Sequence, residues 1–111
     1  MRSLRPMRML TKAIERKLAM TPIGSTDGMG KDARIIVKFF YPYGVGTWLV
    51  TEGEKIDNDW RLYGAAELGM GFEWGYVMLS ELEAIGGNTW KLVEREMYSP
   101  PKTVGEEWKD A

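Results

Sequence analysis

Apolar residues recur along this chain with two different periods, one near the N-terminus and another from residue 33 onward. In the first segment three of them stand four positions apart: Leu10, Ile14 and Leu18. This spacing is typical of the buried face of an amphipathic helix. Thr11 is a suitable N-cap, and the residue before Pro22 is pushed out of the helical region. The pattern predicts a helix over residues 11–20.

The second period is that of β-strands. Segments rich in β-branched and aromatic residues are separated by turns that contain Pro, Gly, Asp and Asn, as expected for consecutive antiparallel strands. Five strands are predicted, over residues 33–41, 46–52, 60–66, 73–79 and 90–96. Before the last strand, Ser80 and Glu83 have the spacing of a capping box and predict a short helix over residues 80–85.

Together these elements predict an α+β domain, a meander of about five antiparallel strands with the N-terminal helix and the short helix on one face. We expect it to span residues 10–100, between an N-terminal extension of residues 1–9 and a C-terminal tail of residues 101–111. A chain of 111 residues fits one such core, and 44% hydrophobic with 28% charged residues is a composition that folds.

Composition also restricts the chemistry. The chain contains no cysteine and no histidine, which excludes disulfides, thiolate nucleophiles, zinc sites built on those residues and Ser-His-Asp triads. We expect no cofactor. The sequence has neither a secretory signal nor an apolar run of about 18 residues, so we expect a cytoplasmic protein without a membrane partner.

Charge is distributed unevenly. Residues 1–40 contain nine Lys and Arg against three Asp and Glu, a net charge of +6, whereas residues 41–111 contain six against thirteen, a net charge of −7. The predicted helix carries Lys12, Arg16 and Lys17, which are suited to contact phosphate groups or an acidic partner. The alternative interpretation is a solvated basic helix on an acidic domain.

A glycine-rich segment, GSTDGMGKD at residues 24–32, has the composition of a phosphate-binding loop. Its spacing is wrong for that role, because five residues separate Gly24 from Gly30. In addition, Lys31 is followed by Asp32 where the motif needs a serine or threonine. We interpret the segment as a flexible connector.

Two glutamates and a lysine form the first candidate site. A magnesium-dependent nuclease needs carboxylates that converge on the ion and a cation near the phosphate, and Glu52, Glu73 and Lys38 are available. Alternation along the strands allows both glutamates to lie on one face of the sheet, although the spacing does not force them together. The alternative is that these glutamates are solvated or pair with Arg61 and Arg95.

Aromatic residues form the second candidate site. Trp48, Trp74 and Tyr76, near Lys38, are suited to stack on unpaired bases or to anchor a protein partner. The alternative is that these rings fill the core of a small domain.

The order of four motifs, VKFFYP, GTWLVTEGE, EWGYVMLSELEAI and VEREMYSP, resembles the small bacterial family known as domain of unknown function 2958. The matching residues are Lys38, Phe39, Phe40, Pro42, Trp48, Thr51, Glu52, Glu73, Trp74, Gly75, Tyr76, Glu81, Leu82, Glu94, Arg95 and Pro100. Glu96 departs from the pattern, which prefers Asp there. The resemblance implies cargo of plasmids, integrative elements and phages, found among DNA-processing and anti-restriction genes.

The expected function is therefore a non-enzymatic binding or inhibitory protein of a mobile element, of the anti-CRISPR or anti-restriction type. Its partner would be a host or phage protein, such as a nuclease or its nucleic-acid complex. Binding would involve the aromatic residues and the basic helix: Trp48, Trp74, Tyr76, Lys12, Arg16 and Lys17. The alternative function is a single-stranded DNA-binding or DNA-processing accessory protein, including a Mg²⁺-dependent nuclease.

Overall fold

The computed structural model describes residues 9–85, 92–96 and 102–109. This part of the chain has the predicted α+β fold, with one antiparallel five-stranded sheet of order β4-β3-β2-β1-β5. The strands are β1 Val37–Phe40, β2 Thr47–Ile56, β3 Asp59–Glu67, β4 Phe72–Met78 and β5 Glu94–Arg95, and the helices are α1 Lys12–Ala19, α2 Leu79–Ala84 and α3 Val104–Glu107. Strands β1 to β4 form the predicted meander, and β5 pairs with the free side of β1. No helix in the described ranges is long and apolar enough to cross a membrane.

Both helices predicted from the sequence are present. Thr11 caps α1 as predicted, because its Oγ1 accepts a hydrogen bond of 3.1 Å from Ile14 N. The start of α2 differs from the prediction. Glu81 and not Glu83 reaches back to the backbone, where its Oε1 accepts from Met78 N at 2.8 Å. Ser80 is bound instead by Asp59 of β3, which accepts from its Oγ at 2.6 Å and from its backbone N–H at 3.1 Å.

The two faces of the sheet have separate cores. Helices α1 and α2 pack on the first face, as predicted, around apolar side chains that include Val37, Phe39, Trp48, Val50, Leu62, Leu18 and Leu82. The second face has a smaller core of Leu49, Ala65 and Val104. Val104 is 0% exposed, and its N–H donates to Ala33 O at 2.9 Å. Residues 102–109, which the sequence assigned to a tail, therefore cover the second face.

A β-bulge in strand β2 changes which side chains face which core. Val50 pairs with Gly64, but Glu52 pairs with Tyr63, so one extra residue lies between them in β2. An extra residue reverses the alternation of the side chains that follow it. Glu52 therefore lies on the second face, and the prediction that it shares a face with Trp48 and Val50 is wrong.

Several predictions concern residues outside the described ranges. They include residues 1–8 of the N-terminal extension, the stop of the short helix at residues 86–88, the first two residues of the predicted fifth strand, and the proline pair at residues 100–101.

Candidate binding surface

Glu52, the first glutamate of the predicted nuclease site, is buried and engaged by the chain itself. It is 2% exposed. Its carboxylate accepts hydrogen bonds of 2.7 Å from the backbone N–H groups of Gly24 and Thr26, and another from Thr26 Oγ1. Burial by itself would raise the pKa of the Glu52 carboxyl, but these hydrogen bonds outweigh burial and lower the pKa below 4.5. The charged carboxylate is therefore a structural group.

The partner of this carboxylate is the glycine-rich segment. Residues 24–32 are not the flexible connector that the sequence suggested but a series of tight turns, which ends in a 3-10 turn at Gly30–Asp32. Gly24 has a φ of +97°, which L-residues with a side chain rarely adopt. The segment presents N–H groups to an anion, as the composition suggested, but the anion is the protein's own Glu52.

Glu73, the second glutamate, lies on the opposite face of the sheet. It is in register with Ala66 of β3, and Ala66 is in register with Trp48 of β2 on the first face. Glu52 and Glu73 therefore do not converge on one ion. Among the described residues, no three acidic side chains are placed to hold a metal ion.

Lys38, the third member of that predicted site, is part of an ion-pair network on the second face. Its Nζ lies 2.9 Å from Glu107 and 3.2 Å from Glu96. Lys102 joins the same network at 2.7 Å from Glu107. Burial would lower the pKa of Lys38, but the hydrogen bonds and charges of the two glutamates raise it. Lys38 thus ties the C-terminal segment to strand β1.

The predicted binding residues are divided between three places. Trp48 is 7% exposed and belongs to the core of the first face, which is the alternative that the sequence left open. Lys12, Arg16 and Lys17 are exposed on α1, which also packs on the first face. Trp74 and Tyr76 lie on the second face, in strand β4.

On the second face, rings contact one another in a continuous row, which we call the aromatic row: Tyr63, Phe72, Trp74, Tyr76 and Trp108. Trp74 stacks on Tyr63 with ring centroids 5.9 Å apart and an angle of 13° between the planes. The ring centroid of Tyr76 lies 4.9 Å from that of Tyr63, and the ring centroid of Trp108 lies 5.6 Å from that of Trp74. Of this row, Trp74 and Tyr76 were the two residues predicted from the sequence.

Cations lie at both ends of the aromatic row. Lys31 Nζ is 4.6 Å from the centroid of Trp108, and the guanidinium carbon of Arg61 is 5.1 Å from that of Tyr76. Both distances are those of cation–π contacts. Arg61 also pairs with Glu54 at 3.7 Å. Sequence reasoning missed these contacts, because they join strands and turns that are distant along the chain.

Strand β4 is an edge of the sheet and is preceded by exposed apolar residues. Among the described residues, β3 is the only strand that pairs with β4. Met70 is 88% exposed, Leu68 63% and Tyr76 59%. We call β4 together with Leu68 and Met70 the β4 edge surface. The sequence suggested a bend at this point from Gly69 and Gly71, but did not indicate that the bend exposes two large apolar side chains.

An open pocket lies beside this edge on the first face, with a volume of about 410 Å³. Its floor is the cross-strand pair Gly64 and Gly75. Its walls include Trp48 and Met70. Among the described residues that line the pocket, Glu73 alone has a charged side chain. A volume in this range is typical of ligand-binding clefts.

Comparison with known proteins supports the resemblance found in the motifs. A family model described as Protein of unknown function (DUF2958) matches residues 9–111, nearly the whole chain. No curated protein and no solved structure matches the chain. The matched region includes the β4 edge surface, the glycine-rich segment and the C-terminal segment on the second face.

Proposed function

The chain belongs to the DUF2958 family, and we propose that it is a non-catalytic binding protein that engages a partner protein through the β4 edge surface. The observation that carries this proposal is an edge strand of seven residues, Phe72–Met78, next to the exposed side chains of Leu68 and Met70. An edge strand presents unpaired backbone N–H and C=O groups, which a strand of another chain can pair with.

The sequence of β4 lacks most of the features that keep edge strands apart. Natural edges are protected by proline, charged side chains (lysine above all), short length or bulges, and β4 has one of these, the charge of Glu73. Strand β4 contains no proline, lysine or arginine, and all seven of its residues pair with β3 without a register shift. The opposite edge, β5, is two residues long. A weakly protected edge beside large exposed apolar side chains is characteristic of an interaction surface.

The biological setting that we propose is the one implied by the family resemblance. In that setting the partner is a protein of a host defence system, such as a nuclease, and binding at the β4 edge surface blocks it. Inhibition of this kind needs a shaped surface with a few buried anchors and no catalytic groups. Glu52 and Lys38, which the nuclease alternative requires, are instead engaged in structural contacts.

Capture of a partner by surface variants tests the proposal. Met70→Asp and Tyr76→Asp place a charge on the β4 edge surface, and Met20→Asp and Tyr43→Asp are matched controls at other exposed positions, 81% and 71% exposed. A tagged chain is used to capture proteins from a nuclease-treated host lysate. We expect a discrete protein that the wild type and both controls retain and both edge variants lose. A partner retained equally by the edge variants would contradict the proposal.

A second candidate function is favoured by the aromatic row. Rings flanked by Lys31 and Arg61 are the components of a surface that binds single-stranded nucleic acid. One observation weighs against it: Trp74 is stacked on Tyr63 within the protein. Titration with a fluorescent oligonucleotide at several salt concentrations separates the two functions. Single-strand binding that weakens steeply with salt would favour the second candidate.

A further inference from the structure

We infer that the β4 edge surface selects an extended partner segment in which a basic residue and a large apolar residue stand two positions apart. The inference rests on the proposed function, because it requires a partner strand at this edge. It follows from what Gly75 and Glu73 offer to that strand. Both residues lie on the first face, two positions apart in β4, and both line the 410 Å³ pocket.

The absence of a side chain at Gly75 is not required by the described fold. At Gly64, its cross-strand neighbour, an added Cβ would lie 1.9 Å from Leu49 O, so this position tolerates no side chain. At Gly75, no atom of the described residues other than Gly75 and its two chain neighbours lies within 4 Å of an added Cβ. Its φ also lies outside the left-handed region. Gly75 therefore leaves a space that the described residues do not fill.

This space lies where a partner residue would place its side chain. In a paired strand, the residue directly opposite Gly75 projects to the same face, with its Cβ about 5 Å away. A large apolar side chain there can lean over Gly75 and contact apolar pocket residues such as Val77, which lies on the same face of β4. Covering a strand glycine with a large cross-strand neighbour is a known way to stabilise a sheet.

Glu73 sets the charge of the other partner position. It is exposed and supplies a carboxylate at the rim of a mainly apolar pocket. The partner residue opposite Glu73 projects to this face as well, because successive residues on one face are two positions apart. A lysine or arginine there pairs with Glu73 while its aliphatic stem lies on apolar surface.

The order of the two partner residues depends on strand direction. In an antiparallel pairing, which the rest of this sheet uses, the residue opposite Gly75 comes before the residue opposite Glu73. The partner segment then reads large apolar, any residue, basic. The reverse order corresponds to a parallel pairing.

Selection of peptides on the folded full-length chain tests the inference. A display library of random peptides of about twelve residues is panned on the wild type, and enriched peptides are synthesised and titrated. We expect an apolar and a basic residue two positions apart. With Gly75→Val, which fills the space, affinity should fall about tenfold or more. With Glu73→Lys, panning should select an acidic residue in place of the basic one, whereas Glu94→Lys on strand β5 should leave the selection unchanged.

The outcomes distinguish this inference from the proposed function. Enriched peptides that lack the apolar and basic pair, or a Glu73→Lys variant that selects the same peptides as the wild type, would overturn the inference. If such peptides still lose binding with Tyr76→Asp, the proposed function stands. A panning that enriches no peptide at all counts against both. Thermal unfolding of each variant confirms that the change in selection comes from a folded chain.

Discussion

Gly64 and Gly75 face each other across strands β3 and β4, yet the described structure needs only the first to lack a side chain. Gly64 sits against the backbone of β2 next to the bulge, where an added Cβ would lie 2.9 Å from Val50 Cα as well as 1.9 Å from Leu49 O. An added Cβ at Gly75 would meet no described residue other than the chain neighbours of Gly75 within 4 Å. Glycine at position 64 thus allows the backbones of β2 and β3 to approach closely, whereas glycine at position 75 leaves a pocket open.

Alanine substitutions separate these two roles. Gly64→Ala should lower the free energy of unfolding by about 3 kcal/mol or more, because strands β2 and β3 must move apart to relieve the clash. Gly75→Ala should change stability by no more than about 0.5 kcal/mol, since the added Cβ meets no described residue other than its chain neighbours. The measurement is the free energy of unfolding from urea titration. Equal losses for the two variants would contradict the assignment.

Glu52 gives the protein an acid-sensitive contact. Its pKa is lowered in the folded chain, so its stabilisation is complete above the unfolded value of about 4.5 and is lost as the pH falls through the folded pKa. Glu52→Gln should reduce stability by about 2 kcal/mol at neutral pH. It should also flatten the fall in unfolding free energy between about pH 5 and pH 3.

Denaturant titrations at several pH values check this prediction, with Glu73→Gln as a control carboxylate that is exposed. The control should change the unfolding free energy at neutral pH by no more than about 0.5 kcal/mol. If Glu52→Gln keeps the pH dependence of the wild type, the hydrogen bonds of the glycine-rich segment do not hold a charged carboxylate.

The sequence offers Glu52 as one candidate carboxylate but does not show where its side chain lies. Strict alternation along β2 puts it beside Trp48 and Val50, and one extra residue in the strand reverses that result. A bulge of this kind has no reliable sequence signature, since it depends on how β2 and β3 approach each other at Gly64. The binding partner of Glu52 comes from a segment 26 to 28 residues earlier in the chain, which local patterns do not reveal.

Among the elements, the C-terminal segment differs most from expectation. Its prolines indicated a tail, because proline does not fit within a sheet, but residues 102–109 use other contacts. Arg34 forms an isolated bridge with Thr103, and Glu107 accepts ion pairs from Lys38 and Lys102. Hydrogen bonds from Lys102, then Lys38, lower the pKa of the Glu107 carboxyl. The segment is therefore part of the domain.

Shortening Val104 measures how much this segment stabilises the fold. Val104 is 0% exposed and packs on Leu49 and Ala65. Val104→Ala should destabilise the protein by about 2 kcal/mol, from lost burial and the cavity left behind. Val45→Ala, at a position that is 65% exposed, should have almost no effect. Similar unfolding free energies for the two variants would show that the segment is not part of the core.

Strands and helices were the most predictable features. Strands β2 to β4 and helix α1 lie within a few residues of their predicted ranges, because each has a clear period and turn residues on both sides. Strand β1 begins at Val37 and not at residue 33, since Ile35 N pairs with Lys102 O of the C-terminal segment. That contact is tertiary, and the alternating pattern before Val37 gave no sign of it.

In the whole molecule, the basic helix and the aromatic row lie on opposite faces of the sheet. Helix α1, with Lys12, Arg16 and Lys17, packs on the first face, whereas Trp74 and Tyr76 project from the second. The predicted binding residues of α1 and those of β4 therefore lie on different faces of the sheet. Strand β4 contributes side chains to both faces. Trp74 and Tyr76 belong to the aromatic row on the second face, and Glu73 and Gly75 line the pocket on the first.

Hydrogen–deuterium exchange of the chain with its captured partner tests the central claim most directly. Pairing of a partner strand should protect backbone amides of residues 72–78, because N–H groups on the free side of β4 gain hydrogen bonds. We predict that this protection exceeds any change in α1. If instead the partner protects residues 12–19 and leaves β4 unchanged, the basic helix is the binding site and the β4 edge surface is not.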